Sequence, residues 1–143
     1  APDEERAEMV RLAIADNPAF EIVTDEIFRP GPSYTVDTVT KLVTEGRVEP
    51  VPGLIVGDDL LDEIPNWRAS KTLQRAVRLI IAGRERPAAE RVVSMWDNWE
   101  TVDNTLLAVS SSDIRERIRA GIAYRYLVQE QVYRHIVSHE LYR

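Results

Sequence analysis

Three serines, Ser110-Ser111-Ser112, stand directly before a helical pattern that carries Arg115 and Arg119 about one turn apart. Amides at a helix start, hydroxyls in front of them and a guanidinium in the first turns make a cradle for a phosphate group. Serine is also a good N-cap and surface helices are rich in arginine, so spacing alone leaves both readings open. A second such place is Gly31-Pro32-Ser33-Tyr34-Thr35, where a rigid loop runs into another helix start. A ligand phosphate or amide held through Tyr34 or Thr35 competes there with plain capping by Ser33 or Thr35.

Gly57-Asp58-Asp59 follows the strongest apolar run of the chain. An acid at the carboxyl end of a parallel strand can hold ribose hydroxyls, a metal or an amide near a nucleotide; equally, Asp59 can cap the next short helix. Trp67 follows Ile64-Pro65-Asn66, where its indole can stack on a planar heteroaromatic ligand or cover a sheet edge. Trp96 and Trp99 have no comparable context and read as packing residues. Arg84 and Arg86, beside Pro87, can pair with a phosphate or carboxylate or simply be solvated.

His135 and His139 are four apart on a helix, a spacing that can set two imidazoles on one metal. The adjacent Glu140 lies outside an HExxH pattern and no third ligand is evident, so both read as ordinary helix histidines and no metal site is expected. There is no cysteine, hence no disulfide, thiolate nucleophile or Cys-ligated metal. GxxxxGK[ST], GxGxxG and GxSxG are all absent. These residues favour binding phosphates and a flat ring over nucleophilic catalysis.

The elements that would position them alternate between helix and strand. The spacing of Ala7, Val10, Ala13 and Ile14 predicts a helix over residues 3–16, with Asp3, Glu4 and Glu5 at its amino end. Phe20-Glu21-Ile22-Val23 reads as a strand. A helix over 33–43 buries Val36, Val39, Leu42 and Val43. Gly53-Leu54-Ile55-Val56-Gly57 reads as a buried parallel strand running into a functional loop, with a helix fragment as the alternative for so short a run. A short helix and turn over 58–67 and a helix over 70–77 feed a strand at Leu79-Ile80-Ile81-Ala82. Residues 90–103 fit strand or helix, and 105–109 is the last expected strand. Helices over about 113–120, closed by Gly121, and 128–138 finish the chain. The class is α/β with a mostly parallel sheet.

The 143 residues carry 18 Lys+Arg against 24 Asp+Glu, a net charge of -6, and 44% are hydrophobic. That suits one soluble domain with a real core. No apolar run approaches the roughly 20 residues needed to cross a bilayer, so no membrane partner is expected and the cytoplasm is the default location. The acidic total argues against nucleic acid. From Ser111 onward six Arg face four acids, a thin footprint for a helix-turn-helix on DNA.

Several ordered segments together resemble the bacterial nicotinate-nucleotide adenylyltransferases, nucleotidyltransferases with a Rossmann-like core. They are Pro18-Ala19-Phe20; Gly31-Pro32-Ser33-Tyr34-Thr35-Val36-Asp37-Thr38; Val56-Gly57-Asp58-Asp59-Leu60; Ile64-Pro65-Asn66-Trp67; and Val109-Ser110-Ser111-Ser112-Asp113-Ile114-Arg115-Glu116-Arg117-Ile118. Tyr126-Leu127-Val128 and His139-Glu140-Leu141-Tyr142 look like the family's closing helix and tail. The resemblance implies an enzyme that joins the adenylyl group of ATP, with Mg2+, to nicotinate mononucleotide, giving deamido-NAD and pyrophosphate. It implies that Trp67 stacks on the nicotinate ring, that Tyr34 and Thr35 hold its edge, and that Arg84 is a weaker substrate contact. Asp59 would lie beside the nucleotides, with Ser111, Ser112 and Arg115 on the ATP phosphates. Ser112, where a Thr is common, keeps the hydroxyl and the cap; Arg68 stands where the family often has His.

The family's opening GGTFDPxHxGH, whose histidines stabilise the reacting phosphates, has no match here. The chain is therefore expected to be roughly two-thirds to three-quarters of a single nucleotidyltransferase domain, lacking its N-terminal part and inactive alone. Alternatives are an adenylyltransferase for nicotinamide mononucleotide or pantetheine phosphate, or a non-catalytic nucleotide-binding protein. A homo-oligomer is left open.

Overall fold

The structure, a computed structural model, describes residues 1–83 and 96–143. Arg84, Arg86, the loop after Gly83 and the ambiguous Val92-Val93 and Met95 lie outside the described residues. The chain divides into two compact units, residues 30–107 and residues 1–29 with 108–143.

The first of these is built on a parallel three-stranded sheet in the order β1-β2-β3. Its strands are β1 (Gly53–Gly57), β2 (Arg78–Ala82) and β3 (Trp99–Val102). Register runs from Gly53 opposite Arg78 to Gly57 opposite Ala82, and from Leu79 opposite Trp99 to Ala82 opposite Val102. α3 (Thr35–Thr44) precedes β1, and two 3₁₀ turns, Asp58–Leu60 and Ile64–Asn66, lead into α4 (Ser70–Ala76). Parallel neighbours need a crossover of this kind, because a hairpin cannot return the chain in the same direction.

Leu73, Val77, Leu79 and Ile81 are each 1% exposed and pack with Val36, Val39 and Val56. At about 1.5–3 kcal/mol per fully buried aliphatic side chain, this cluster is the main force that fixes α3 and α4 against the sheet. Trp96 is buried in it and Trp99 packs on its rim, in keeping with their reading as packing residues. β1 has the expected bounds, but only alternate residues are covered: Val56 is buried while Ile55 is 68% exposed. Its apolar run therefore belongs to a strand with one packed face among the described residues, rather than one covered on both.

The other unit contains α1 (Asp3–Ile14), α2 (Asp25–Phe28), α5 (Ser111–Arg119) and α6 (Glu130–Ser138), with a 3₁₀ turn at Arg125–Leu127. α1 contacts α6, and Ala7 and Ile136 are buried. α5 ends in a left-handed Gly121: its N–H bonds the Ile118 carbonyl at 3.2 Å and the Ile122 N–H bonds that of Arg117 at 2.9 Å. That double bond closes the last turn where glycine carries no Cβ penalty.

Two expected strands are absent. Phe20–Val23 is irregular and leads into α2, with Phe20 61% exposed. Branched and aromatic residues favour a strand only where a neighbour takes up the backbone N–H and C=O groups, and the described sheet does not extend to them. Residues 105–109 are also irregular, and Leu107 is 79% exposed. The third strand lies earlier, at Trp99–Val102, where pairing with β2 outweighs the more apolar run that follows.

Candidate functional site

The segment after β1 is pinned from below. Leu61 and Ile64, 6% and 4% exposed, anchor the two 3₁₀ turns to the core, which leaves Pro65, Asn66 and Trp67 to come up at the surface. The Trp67 N–H closes the second turn on the Ile64 carbonyl at 3.1 Å. Ala69 then takes a left-handed φ of 51°, and its carbonyl receives the Thr72 and Leu73 N–H groups at 2.9 and 3.0 Å to open α4. A non-glycine residue pays strain for that conformation, so the reversal of direction at Arg68–Ala69 is over-determined by its surroundings.

Tyr34 enters from the other side. It is the N-cap of α3 in extended conformation, and its carbonyl accepts from the Asp37 and Thr38 N–H groups at 3.0 and 3.2 Å. The Tyr34 side chain makes no capping bond of its own, and Ser33 stands one residue before it. Tyr34 and Trp67 both pack partly on the core cluster. Between these two helix starts lies a cavity of about 320 Å³ lined by Ser33, Tyr34, Thr35, Asn66, Trp67, Arg68 and Leu73.

Of the residues singled out in the sequence, Tyr34, Thr35 and Trp67 thus come together. Trp67 packs against the core cluster and also lines the cavity. The sequence reading missed Arg68, whose guanidinium carbon lies 4.4 Å from the centre of the Tyr34 ring. Only its place next to the tryptophan hinted at it. Asp59 stands in the 3₁₀ turn directly after β1, at the carboxyl edge of the same sheet. Asn104, also missed, exchanges two hydrogen bonds with the Gly83 backbone, 2.9 and 3.0 Å, tying together the segments that leave β2 and β3. Arg84 lies outside the described residues.

Ser111, Ser112 and Arg115 belong to the other unit. The N-cap of α5 is Ser110, whose Oγ accepts from the Asp113 N–H at 3.1 Å. The expectation that Ser112 keeps the cap is therefore corrected: three consecutive hydroxyls blur a helix boundary, and the first of them takes it. Ser112 instead accepts from Arg115 Nη2 at 2.9 Å. Long helical side chains lean toward the amino end, and this bond holds the guanidinium beside the first turn, where N–H groups lack intrahelical partners. Arg117 is committed elsewhere, to Asp113 at 3.0 Å.

Parallel strands, a helical crossover from β1 to β2, and polar groups gathered where strands end and helices begin define a Rossmann-like nucleotidyltransferase fold. A model of the cytidylyltransferase-like family matches residues 1–117. Two solved structures of Plasmodium falciparum nicotinic acid mononucleotide adenylyltransferase, complexed with APC and with NaAD, share this fold, with TM-scores of 0.73 and 0.74. They are 16% and 18% identical, cover 97% of this chain, and are themselves covered over 75% and 73% of their length. A probable nicotinate-nucleotide adenylyltransferase of Symbiobacterium thermophilum is 40% identical over 149 residues, spanning 99% of this chain and 71% of its own length. One of Roseiflexus is 37% identical, over 100% of this chain and 74% of the relative. The chain belongs to the nicotinate-nucleotide adenylyltransferase family.

Proposed function

We propose that this chain supplies substrate-binding surfaces of an enzyme that transfers the adenylyl group of ATP to nicotinate mononucleotide, releasing pyrophosphate. Supporting this reading are the family membership and the cavity between Tyr34 and Trp67. The cavity is the observation that carries it: an indole wall takes a flat pyridine ring, helix-start amides at Thr35 meet its polar edge, and Arg68 adds a positive charge for a carboxylate. Ser111, Ser112 and Arg115 are assigned to the ATP phosphates, Asp59 to the nucleotides and Arg84 to a weaker substrate contact. ATP enters as its magnesium complex.

The acceptor phosphate is already a nucleophile, so in-line attack on the α-phosphorus needs no covalent intermediate. Alignment, and cations placed where phosphoryl charge develops, would supply most of the acceleration. The 71% and 74% coverage of the relatives supports a reading in which these residues form the larger part of a single nucleotidyltransferase domain. No described helix is long and apolar enough to cross a membrane, and a cytoplasmic location is part of the proposal.

The test is pyrophosphate release by the protein of the full reading frame, given ATP with nicotinate mononucleotide, nicotinamide mononucleotide or pantetheine phosphate in turn. Release dependent on nicotinate mononucleotide supports the assignment. Tight nucleotide binding with no release from any acceptor would instead identify a non-catalytic nucleotide-binding protein.

A further inference from the structure

The first and last helices of the chain meet at a cluster that the nucleotide chemistry does not use. His135 Nε2 lies 2.6 Å from Glu5 Oε2, across 130 residues of sequence. The His135 side chain is only 11% exposed and that of Glu5 28%. One turn on, the His139 ring stacks on His135 with centres 4.1 Å apart and planes inclined by 29°. One ligand-type atom from each of Glu5, His135 and His139 falls within 4.8 Å of the other two. The cluster lines a cavity of about 410 Å³ to which Glu4 and Glu8 also contribute carboxylates, Glu8 being paired with Arg11.

We propose that Glu5, His135 and His139 bind a divalent transition-metal cation, with zinc the best fit. Two imidazoles and one carboxylate are a donor set that zinc accepts with a fourth position left to water. Bonds of roughly 2.0–2.2 Å in a tetrahedron separate the donor atoms by about 3.4 Å. The observed separations, from 2.6 Å to at most 4.8 Å, bracket that value, and the two stacked rings would turn out of their stack to converge on one ion. One nitrogen of His139 is already engaged by the chain. Its Nδ1 donates to the His135 carbonyl at 3.0 Å, with the Ser138 hydroxyl 3.0 Å away, which puts the lone pair on Nε2. Metal-binding histidines typically hold their second nitrogen in this way, which fixes tautomer and ring plane.

The third ligand explains why the histidine pair is silent in the sequence. Glu140, the acid next to the pair, has a left-handed φ of 52° and pairs with Arg143 instead. Glu5 comes from α1, and the site exists only because α1 packs on α6. A bound cation therefore joins the two helices and stabilises the folded unit by mass action.

The experiment is calorimetric titration of the metal-free protein with zinc chloride, repeated for the variants His139→Ala, Glu5→Gln and Glu140→Gln. His139 and Glu140 are exposed, so their substitution leaves the packing of α6 intact. The expected result is one zinc per chain and a thermal midpoint that rises with zinc. Affinity should fall at least about tenfold in His139→Ala and Glu5→Gln and stay unchanged in Glu140→Gln. Cobalt in place of zinc should give the visible absorption of a tetrahedral complex in the parent, and not in His139→Ala. Absence of saturable binding, or equal affinity in the parent, His139→Ala and Glu5→Gln, would overturn the proposal.

Discussion

The guanidinium of Arg68 lies over the ring of Tyr34, 4.4 Å from its centre, at the wall of the cavity that also holds Trp67. A cation over an aromatic face gains about 0.5–1 kcal/mol at an exposed site, enough to bias a long side chain toward one placement. On the proposed reading, a guanidinium there would favour a ligand ring that bears a carboxylate over one that bears an amide. Replacing Arg68 by Ala should raise the dissociation constant for nicotinate mononucleotide by roughly tenfold and barely alter that for the nicotinamide analogue. Isothermal titration with both ligands measures this; equal losses would remove Arg68 from acceptor selection.

Trp67 offers a test of a different kind. Ring stacking of the sort proposed contributes about 1 kcal/mol, or several-fold in affinity. Trp67→Ala should weaken mononucleotide binding by that factor or more, whereas Trp67→Phe, which retains a flat face, should recover part of it. Because Trp67 also rests on the core, the thermal midpoint of each variant must be measured beside its binding. Weakening that tracks stability and ignores aromaticity would count against stacking.

Part of this cavity is legible in the sequence and part is not, for identifiable reasons. β1 can be bounded to the residue because glycine closes both ends of an apolar run. Tyr34, Thr35 and Trp67 declare themselves through their local context, a rigid turn or a Pro-Asn pair beside a helix start. Arg68 does not, because its partner is brought in by the packing of α3 rather than by neighbours in sequence. The same holds for Asn104 and Gly83, and for Glu5 with His135. Phe20–Val23 has strand composition, but composition cannot say whether a neighbouring strand is present to pair with it.

Arg115 should separate the two substrates. Its bond to Ser112 places positive charge beside the first turn of α5, the side assigned to ATP. Arg115→Ala is expected to raise the KM for ATP by about tenfold or more with a much smaller change for the mononucleotide. Ser112→Ala, which removes the hydroxyl that orients the guanidinium but leaves the charge, should have a weaker effect of the same pattern. Steady-state kinetics with each substrate varied in turn gives the comparison, and equal effects on both substrates would contradict the assigned side.

Ala69 holds the strained step between Arg68 and α4. Glycine relieves a left-handed conformation but costs about 0.5–1 kcal/mol of extra chain entropy, so Ala69→Gly should lie between neutral and about 1 kcal/mol more stable. Ala69→Val brings a β-branched side chain to a φ of 51° and should destabilise by more than about 1 kcal/mol. Denaturant unfolding of the three proteins gives the order directly. Should valine prove as stable as alanine, the left-handed geometry at this position would be wrong, and with it the placement of Arg68.

Glu130 opens α6 between two arginines: Arg125 reaches it through two bonds at 3.1 and 3.0 Å, and Arg134 at 2.8 Å. The hydrogen bonds from Arg125, then the one from Arg134, hold its carboxyl below the usual glutamate range. A carboxyl lowered on folding contributes stability that is fully present above its unfolded value and is lost as pH falls through its folded one. The contribution of this group to the acid limb of unfolding should therefore extend below the pH at which an ordinary glutamate titrates. Carbon-detected NMR titration of the Glu130 carboxyl should find the lowered midpoint, and Arg125→Ala should move it back toward the ordinary range. A midpoint insensitive to Arg125→Ala would mean that Arg134 and the helix start, rather than the paired bonds from Arg125, set the charge state of α6 at its amino end.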